Sequence, residues 1–434
     1  MTETTSFRDP GGFVRVAKDR VIRTVRPAGR SNLEAYLKSA AAARFVESGG
    51  LISSQTIPNN AGSSDAADVV VEHPRIPFPS YAHEWPAAML HAAGALTIDL
   101  STALLEEGRG LKDATPSNVL FRGARPVFID VLSIEEREPL DPIWLPAAQF
   151  ARTFLIPLLL EKRTGAPAHE NFVLQRDGVT PQSAVGRLPF PRRWFPPDLG
   201  LVTLPARAAA IESAGIYQPR RTRDAGEARF VLERYFRGLR NKLDGLAPAA
   251  GESGQERSAP RFEIRPERVL DIGGTCSLAF ASSGASVVAI DRDAAAMGDL
   301  WRRAAATSAD VLSLVVDFAR ATPAMGWRGE QSSFMERAAE YFDCVVLMEG
   351  MHRLMVTDQI PPDQVFEAFA DLTTGWLIVE YVARDDARFR RVARGRDALY
   401  EWFTREAFEE SARRRFDIVN SDNAVYLLRR RQRQ

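Results

Sequence analysis

The spacing of apolar residues changes character along this chain. From 262 onward, short runs of Val, Ile and Leu alternate with stretches of helical period. The runs place strands at 267–271, 286–290, 311–317, 342–348 and 375–381, with helices between them. One helix opens with "PPDQVFEAF". Its prolines suit a first turn, where the backbone N–H groups lack intrahelical partners anyway. The chain closes with "FDIVNSDNAVYLLRR", two strands joined by a polar turn. Strand–helix alternation predicts a parallel, doubly wound α/β sheet. The closing hairpin brings it to seven strands, the last antiparallel.

Upstream the pattern differs. Residues 1–135 mix strands with two helices. "FVRVAKDRVIRTV" reads as a hairpin turning at Lys18-Asp19. A helix is expected after Ser31, with Ser31 and Glu34 as a capping box and Gly49 as its stop. "NNAGSSDAAD" at 59–68 is a loop by composition, and "VVVEHPRIPF" is a strand that stops at its prolines. A second helix is expected from near Pro86 to Gly108. Residues 136–245 show helical spacing broken by prolines, and their aromatics and leucines are assigned to core packing. "LAPAAGESGQERSAPR" at 246–261 reads as a flexible linker. The expected organisation is therefore 1–135, 136–245, a linker at 246–261, and 262–434.

Composition narrows the function. At 434 residues the chain suffices for two or three domains. Lys+Arg and Asp+Glu are equal at 56 each. Such a balance gives no field to recruit nucleic acid or an anionic membrane. Two cysteines, Cys276 and Cys344, cannot build a disulfide framework and point to a reducing cytoplasm. The N-terminus lacks the apolar core of a signal peptide. The run "FLIPLLL" at 154–160 is too short to span a bilayer.

The candidate chemistry centres on "VLDIGGTCSLAFASSGASVVAIDRD", residues 269–293. The first strand should end at Asp271. Gly273 and Gly274 then let the backbone turn sharply and approach a ligand, and a helix starts near Ser277, a good helix cap. Asp291 ends the next strand, 20 residues beyond Asp271. A carboxylate there accepts both hydroxyls of a ribose and rejects a 2′-phosphate. Cys276, within the turn, suits a small buried filler more than a reactive thiol.

With these motifs, residues 262–434 resemble a class I S-adenosylmethionine-dependent methyltransferase. The turn "LDIGGTCS" matches that family's acidic residue and spaced glycines, except that Ser277 stands where a glycine is usual. The resemblance implies S-adenosyl-L-methionine as cofactor. It would be held by Asp271, Gly273, Gly274, Ser277, Asp291 and Arg292 at the first two strands. Asp317 would receive the adenine amino group, with Phe318 beside the ring. Met348 and Glu349, after the fourth strand, would line the methionine end. The closing hairpin also fits this family and is usually missing from nicotinamide-binding Rossmann domains.

Over nearly its whole length the chain resembles bacterial methyltransferase-like proteins related to rhizobial nodulation proteins. "DPGGFV" at 9–14, "IPFPSYAHEW" at 76–85, "LKDATPSNVLFRGARPVFIDVLS" at 111–133 and "IVEYVARDD" at 378–386 carry that likeness. Members more often have paired histidines after the fourth strand; here His352 is followed by Arg353. His352 is the expected general base. Glu380, ending the fifth strand, is expected to orient the acceptor or take a proton, with Tyr381 beside it on the acceptor. Asp385 and Asp386 fit a helix start.

"LKDATPSNVLFRGARPVFIDVLS" also resembles a kinase catalytic loop. Asp113 and Asn118 are five apart, and a strand, turn and strand lead to Asp130. In kinases such residues meet the acceptor hydroxyl and magnesium. Residues 1–135 therefore look like a reduced kinase-like α+β region. They lack a glycine-rich phosphate loop and a clear strand lysine, which leaves Arg23 or Arg26 to serve. Asp113, Asn118 and Asp130 become candidate substrate-binding residues, or hold their loop through local hydrogen bonds.

The expected function is cytoplasmic methyl transfer to a hydroxyl, amine or similar group of a small-molecule or glycan-type acceptor. No nucleic-acid or membrane partner is expected. The rivals are an ATP-dependent kinase-like phosphotransferase and a non-catalytic nucleotide-binding protein.

Overall fold

The strands expected after 262 assemble into a single sheet in the computed structural model. It describes residues 4–5, 10–17, 20–58, 65, 67–211, 221–249, 251, 257–260 and 262–432. The turn at Lys18-Asp19, most of 59–68 and part of 246–261 lie outside the described residues. The chain divides into two units, Met1–Ala249 and Ala250–Gln434.

In the second unit, β1 (Arg268–Ile272), β2 (Ser286–Asp291), β3 (Val311–Val315), β4 (Phe342–Leu347), β5 (Thr373–Glu380), β6 (Phe416–Asp422) and β7 (Val425–Arg430) form one sheet, ordered β3-β2-β1-β4-β5-β7-β6. The first five strands run parallel, and β7 lies antiparallel between β5 and β6. Helices cover both faces of a parallel sheet, so its central strands can be apolar throughout rather than alternating. Val269–Ile272 and Val311–Val315 are buried without exception.

Register then sets the site. Ile272 lies opposite Ile290 on one side and Leu347 on the other, Asp291 opposite Val315, and Leu347 opposite Val379. The carboxyl ends of β1 to β5 therefore share one edge, where open α/β sheets bind ligands. Helix Pro362–Leu372 starts after Pro361, as expected. Phe366, Phe408, Phe416 and Tyr426 join in an aromatic cluster under the hairpin.

The first unit opens with a five-stranded antiparallel sheet, in the order Thr4–Thr5, Gly12–Val16, Arg20–Val25, Val69–Pro74, Gln55–Ile57. The single helix expected from Ser31 to Gly49 is two helices, Arg30–Leu37 and Ala40–Glu47. Arg30 and Ser31 already lie inside the first, after the 3-10 turn Pro27–Gly29, so the Ser31 hydroxyl caps nothing. Ser39 breaks the run by accepting the Ala42 N–H and donating to Glu107 at 2.8 Å. A side chain that bonds its own backbone this way starts a new helix rather than continuing the old.

Helix Ala87–Leu105 follows. Among the described residues it alone has the length and apolar composition to cross a membrane, and much of it is packed inside the unit. The hairpin Val119–Arg122/Arg125–Phe128 stands between Asn118 and Asp130. In the helical segment, Trp144, Phe150, Phe154 and Leu158 to Leu160 are core residues. Phe190 and Phe195 depart from the core assignment and are exposed. Their prolines keep the stretch from forming the helix whose inner face would have buried them.

Burial holds two histidines of this unit, His73 and His169, down to about 4; the charge of Arg23 adds for His73 and that of His83 for His169. Between about pH 6.5 and 4 the unfolded chain binds protons that the folded chain refuses, so stability falls as pH falls. The buried His169 Nδ1 has no hydrogen-bond partner among the described residues. Relative to the parent, His169→Leu should gain up to about 1.4 kcal/mol of stability for each pH unit below 6.5. Urea midpoints at pH 7 and 5 measure this; parallel changes in parent and variant would refute it.

Candidate functional site

β1 ends in Ile272, and Gly273, Gly274, Thr275 and Cys276 turn the chain into helix Ser277–Ser282. Gly273 has φ +100° and Gly274 φ +64°, which L side chains avoid. The two glycines do different work. A Cβ on Gly273 would meet nothing within 4 Å, so the backbone there stays open to a ligand. A Cβ on Gly274 would lie 2.7 Å from the Met297 methyl, so its bare Cα lets helix Ala294–Thr307 pack close.

Asp271 and Ser277 do not face the crevice, contrary to expectation. Both are fully buried. One Asp271 oxygen accepts the Cys276 N–H at 2.8 Å and the Ser277 hydroxyl at 2.6 Å. Ser277 is the first helical residue rather than a cap, and its hydroxyl supplies a donor that a glycine would lack. The pair shapes the turn from behind. Cys276 is buried, as a filler should be.

Asp291 is half-buried at the end of β2. One oxygen accepts the Asp293 N–H at 2.8 Å; the other has no hydrogen-bond partner among the described residues. Asp293 in turn caps helix Ala294–Thr307. Arg292 is exposed. Asp317 is engaged locally, accepting from Ala319 N–H at 3.0 Å and from Arg320 at 3.3 Å. Phe318 stacks on Phe369 with ring centres 5.4 Å apart and is only half-buried.

The ends of β4 and β5 hold an ion-pair network. Arg388 donates to Glu380 at 2.7 Å, to Glu349 at 2.9 Å and to Asp386 at 2.8 Å. Arg257 pairs with Glu349 and, at 3.3 Å, with Glu380. The Glu349 N–H donates to Glu380 at 3.1 Å. Glu349 adopts φ +54°, a conformation that costs of order 1 kcal/mol outside glycine. Met348 is buried beside it. Arg388 holds the Asp386 carboxyl down to about 2 through hydrogen bonds and charge, and the Arg388 guanidinium is itself pushed up by Asp386. Asp386 also caps helix Ala387–Ala393, as expected.

Three acceptor-side assignments change. Glu380 is 6% exposed and takes both arginines and a backbone N–H, so both its oxygens are already engaged. His352 is 2% exposed beside Phe389. Burial, then the charges of Arg353 and Arg388, lower it to about 4, and its Nδ1 has no hydrogen-bond partner among the described residues. It is neutral at pH 7 and weakly basic. Tyr381 packs between Phe403 and Phe408, with Arg405 over its ring, rather than toward an acceptor. Sequence reasoning missed Arg257 and Arg388. The first lies in the stretch read as linker, and the only trace of the second is its place after Asp385-Asp386.

In the first unit, the Asp113 carboxylate accepts from Gln149 at 2.8 Å and the Asn118 amide donates to the Asp113 carbonyl at 3.4 Å. Both hold their own loop. Asp130 pairs with Arg23 at 3.1 Å, with the arginine side chain 9% exposed. Arg23, one of the two residues left to stand in for a strand lysine, is therefore the one that meets the aspartate of the kinase-like loop.

No family model matches the chain. The chain is 28% identical over 451 residues to nodulation protein NoeA of Rhizobium meliloti (strain 1021), across 96% of this chain and 92% of that protein. Three solved structures are similar in part. The bifunctional kinase-methyltransferase WbdD is 18% identical over 38% of this chain and 34% of its own, with a TM-score of 0.27. The aminoglycoside resistance methyltransferase NpmB1 is 16% identical over 38% and 87%, with a TM-score of 0.26. Vaccinia related kinase 3 is 10% identical over 56% and 86%, with a TM-score of 0.28. The match spans about a third of WbdD. At such TM-scores these likenesses decide nothing about chemistry. From one end to nearly the other, the chain is similar to nodulation protein NoeA, as its motifs implied.

Proposed function

We propose that this protein transfers a methyl group from S-adenosylmethionine to a nucleophile on a small-molecule or glycan-type acceptor in a bacterial cytoplasm. The observation that carries this reading is the open backbone at Gly273 lying one strand from the unpaired oxygen of Asp291. A glycine turn beside a carboxylate suits an adenosine with a free ribose diol. The antiparallel β7 inserted beside β5 favours a methyl donor over a nicotinamide.

When bound, the cofactor supplies a methyl group on a sulfonium. Gly273 would approach it through backbone, Asp291 would hold its ribose, the free face of Phe318 its adenine, and Glu349 its cationic end. Glu380 braces Glu349 through the backbone N–H and the shared Arg388. His352 offers little basicity and the Glu380 oxygens are taken up by arginines, so the site works by orientation: an acceptor held in line needs no strong base when its nucleophile is already deprotonated.

Calorimetry of the full chain tests this. S-adenosylhomocysteine should bind, and neither NAD nor ATP with magnesium should. Binding of ATP–magnesium or NAD without S-adenosylhomocysteine would overturn the reading.

A further inference from the structure

We propose that Arg257 grips the carboxylate of the donor's amino-acid end while Glu349 holds its ammonium. This rests on the methyl-donor reading above.

Arg257 belongs to the short stretch that leads into the second unit's sheet, not to the sheet. Its backbone N–H donates to the Thr275 carbonyl at 2.7 Å, which pins it onto the glycine turn. Its guanidinium then reaches Glu349 and Glu380, beyond the ends of β4 and β5. The side chain thus crosses from the turn after β1 to the loop after β4. β1 and β4 are neighbours in the sheet, and these two segments face each other across its ligand-binding edge.

Its surroundings suit an amino acid carrying both charges. Arg257 and Arg388 contribute two positive charges, and Glu349, Glu380 and Asp386 three negative ones, for a net charge of −1. The donor's ammonium and sulfonium outweigh its carboxylate by one positive charge, so donor and site are complementary. The Arg257–Glu349 pair also mirrors the amino acid: a cation where the carboxylate belongs and an anion where the ammonium belongs. A guanidinium recognises a carboxylate through two parallel N–H bonds.

The network lets one member change partner. The Arg257 side chain is 39% exposed, against 8% for Glu380. Arg388 contacts Asp386, Glu349 and Glu380 together. If Arg257 turns to a ligand, Arg388 still contacts both glutamates. Glu349, set by its left-handed backbone, stays in place.

The test uses two ligands on the full chain. S-adenosylhomocysteine carries the amino-acid end; 5′-methylthioadenosine has the same adenosine without it. By calorimetry the parent should bind S-adenosylhomocysteine the more tightly. Arg257→Gln should weaken S-adenosylhomocysteine at least tenfold and leave 5′-methylthioadenosine within twofold. Arg257→Lys, which keeps the charge without the fork, should fall between parent and Arg257→Gln. Equal losses for both ligands, or no loss for either, overturn the proposal while leaving the methyl-donor reading intact. A parent that binds neither ligand overturns that reading, and this inference with it.

Discussion

Asp291→Ala is expected to weaken S-adenosylhomocysteine binding by at least tenfold. The carboxylate stands at the carboxyl end of β2 with one oxygen tied to the Asp293 N–H and the other unpaired among the described residues. A ribose diol would give it two charge-assisted hydrogen bonds, together worth roughly 1.5–3 kcal/mol. A loss of about 1.4 kcal/mol is already tenfold. Asp291→Asn separates ligand binding from local structure. Its amide oxygen can still accept from Asp293, so the start of helix Ala294–Thr307 is kept while the charge is lost. The asparagine variant should fold like the parent and bind weakly. Undiminished affinity in both variants would falsify the ribose assignment.

The second large effect is on stability. Asp271→Ala leaves the Cys276 N–H and the Ser277 hydroxyl without their acceptor inside the fold. Each stranded donor costs about 1–3 kcal/mol. The variant should lose roughly 2–5 kcal/mol in denaturant unfolding and its donor binding as well, since the turn loses its support. Ser277→Gly, which installs the glycine usual in the methyltransferases the turn resembles, should not improve binding. It removes the hydroxyl that satisfies Asp271 and adds freedom to the first helical turn, so it should destabilise by about 1 kcal/mol. Tighter donor binding in Ser277→Gly would mean that the serine obstructs the crevice instead of bracing it.

The turn itself was legible in the sequence because glycines and a strand-ending carboxylate are local signals. The role of Ser277 was not. A buried hydroxyl is assigned by what it meets, and Asp271 comes to it only when the turn closes. The same holds for His352 and Glu380. Their place after a strand suggested proton transfer, but burial with Arg353 and Arg388 lowers His352, and Arg388 and Arg257 occupy Glu380, the latter from a stretch whose composition suggests only a linker. In the first unit, a resemblance marks Asp113, Asn118 and Asp130 as a kinase-like loop. It could not show that Arg23, from a distant strand, would close on Asp130.

What the amino-acid order determined alone is the alternation of strand and helix, the terminal hairpin and the glycine turn, because period and backbone freedom act over a few residues. Tertiary structure decided which charges meet. Coulomb pairing and desolvation depend on distance through space, and only the folded sheet brings Arg257, Glu349, Glu380 and Arg388 to one edge.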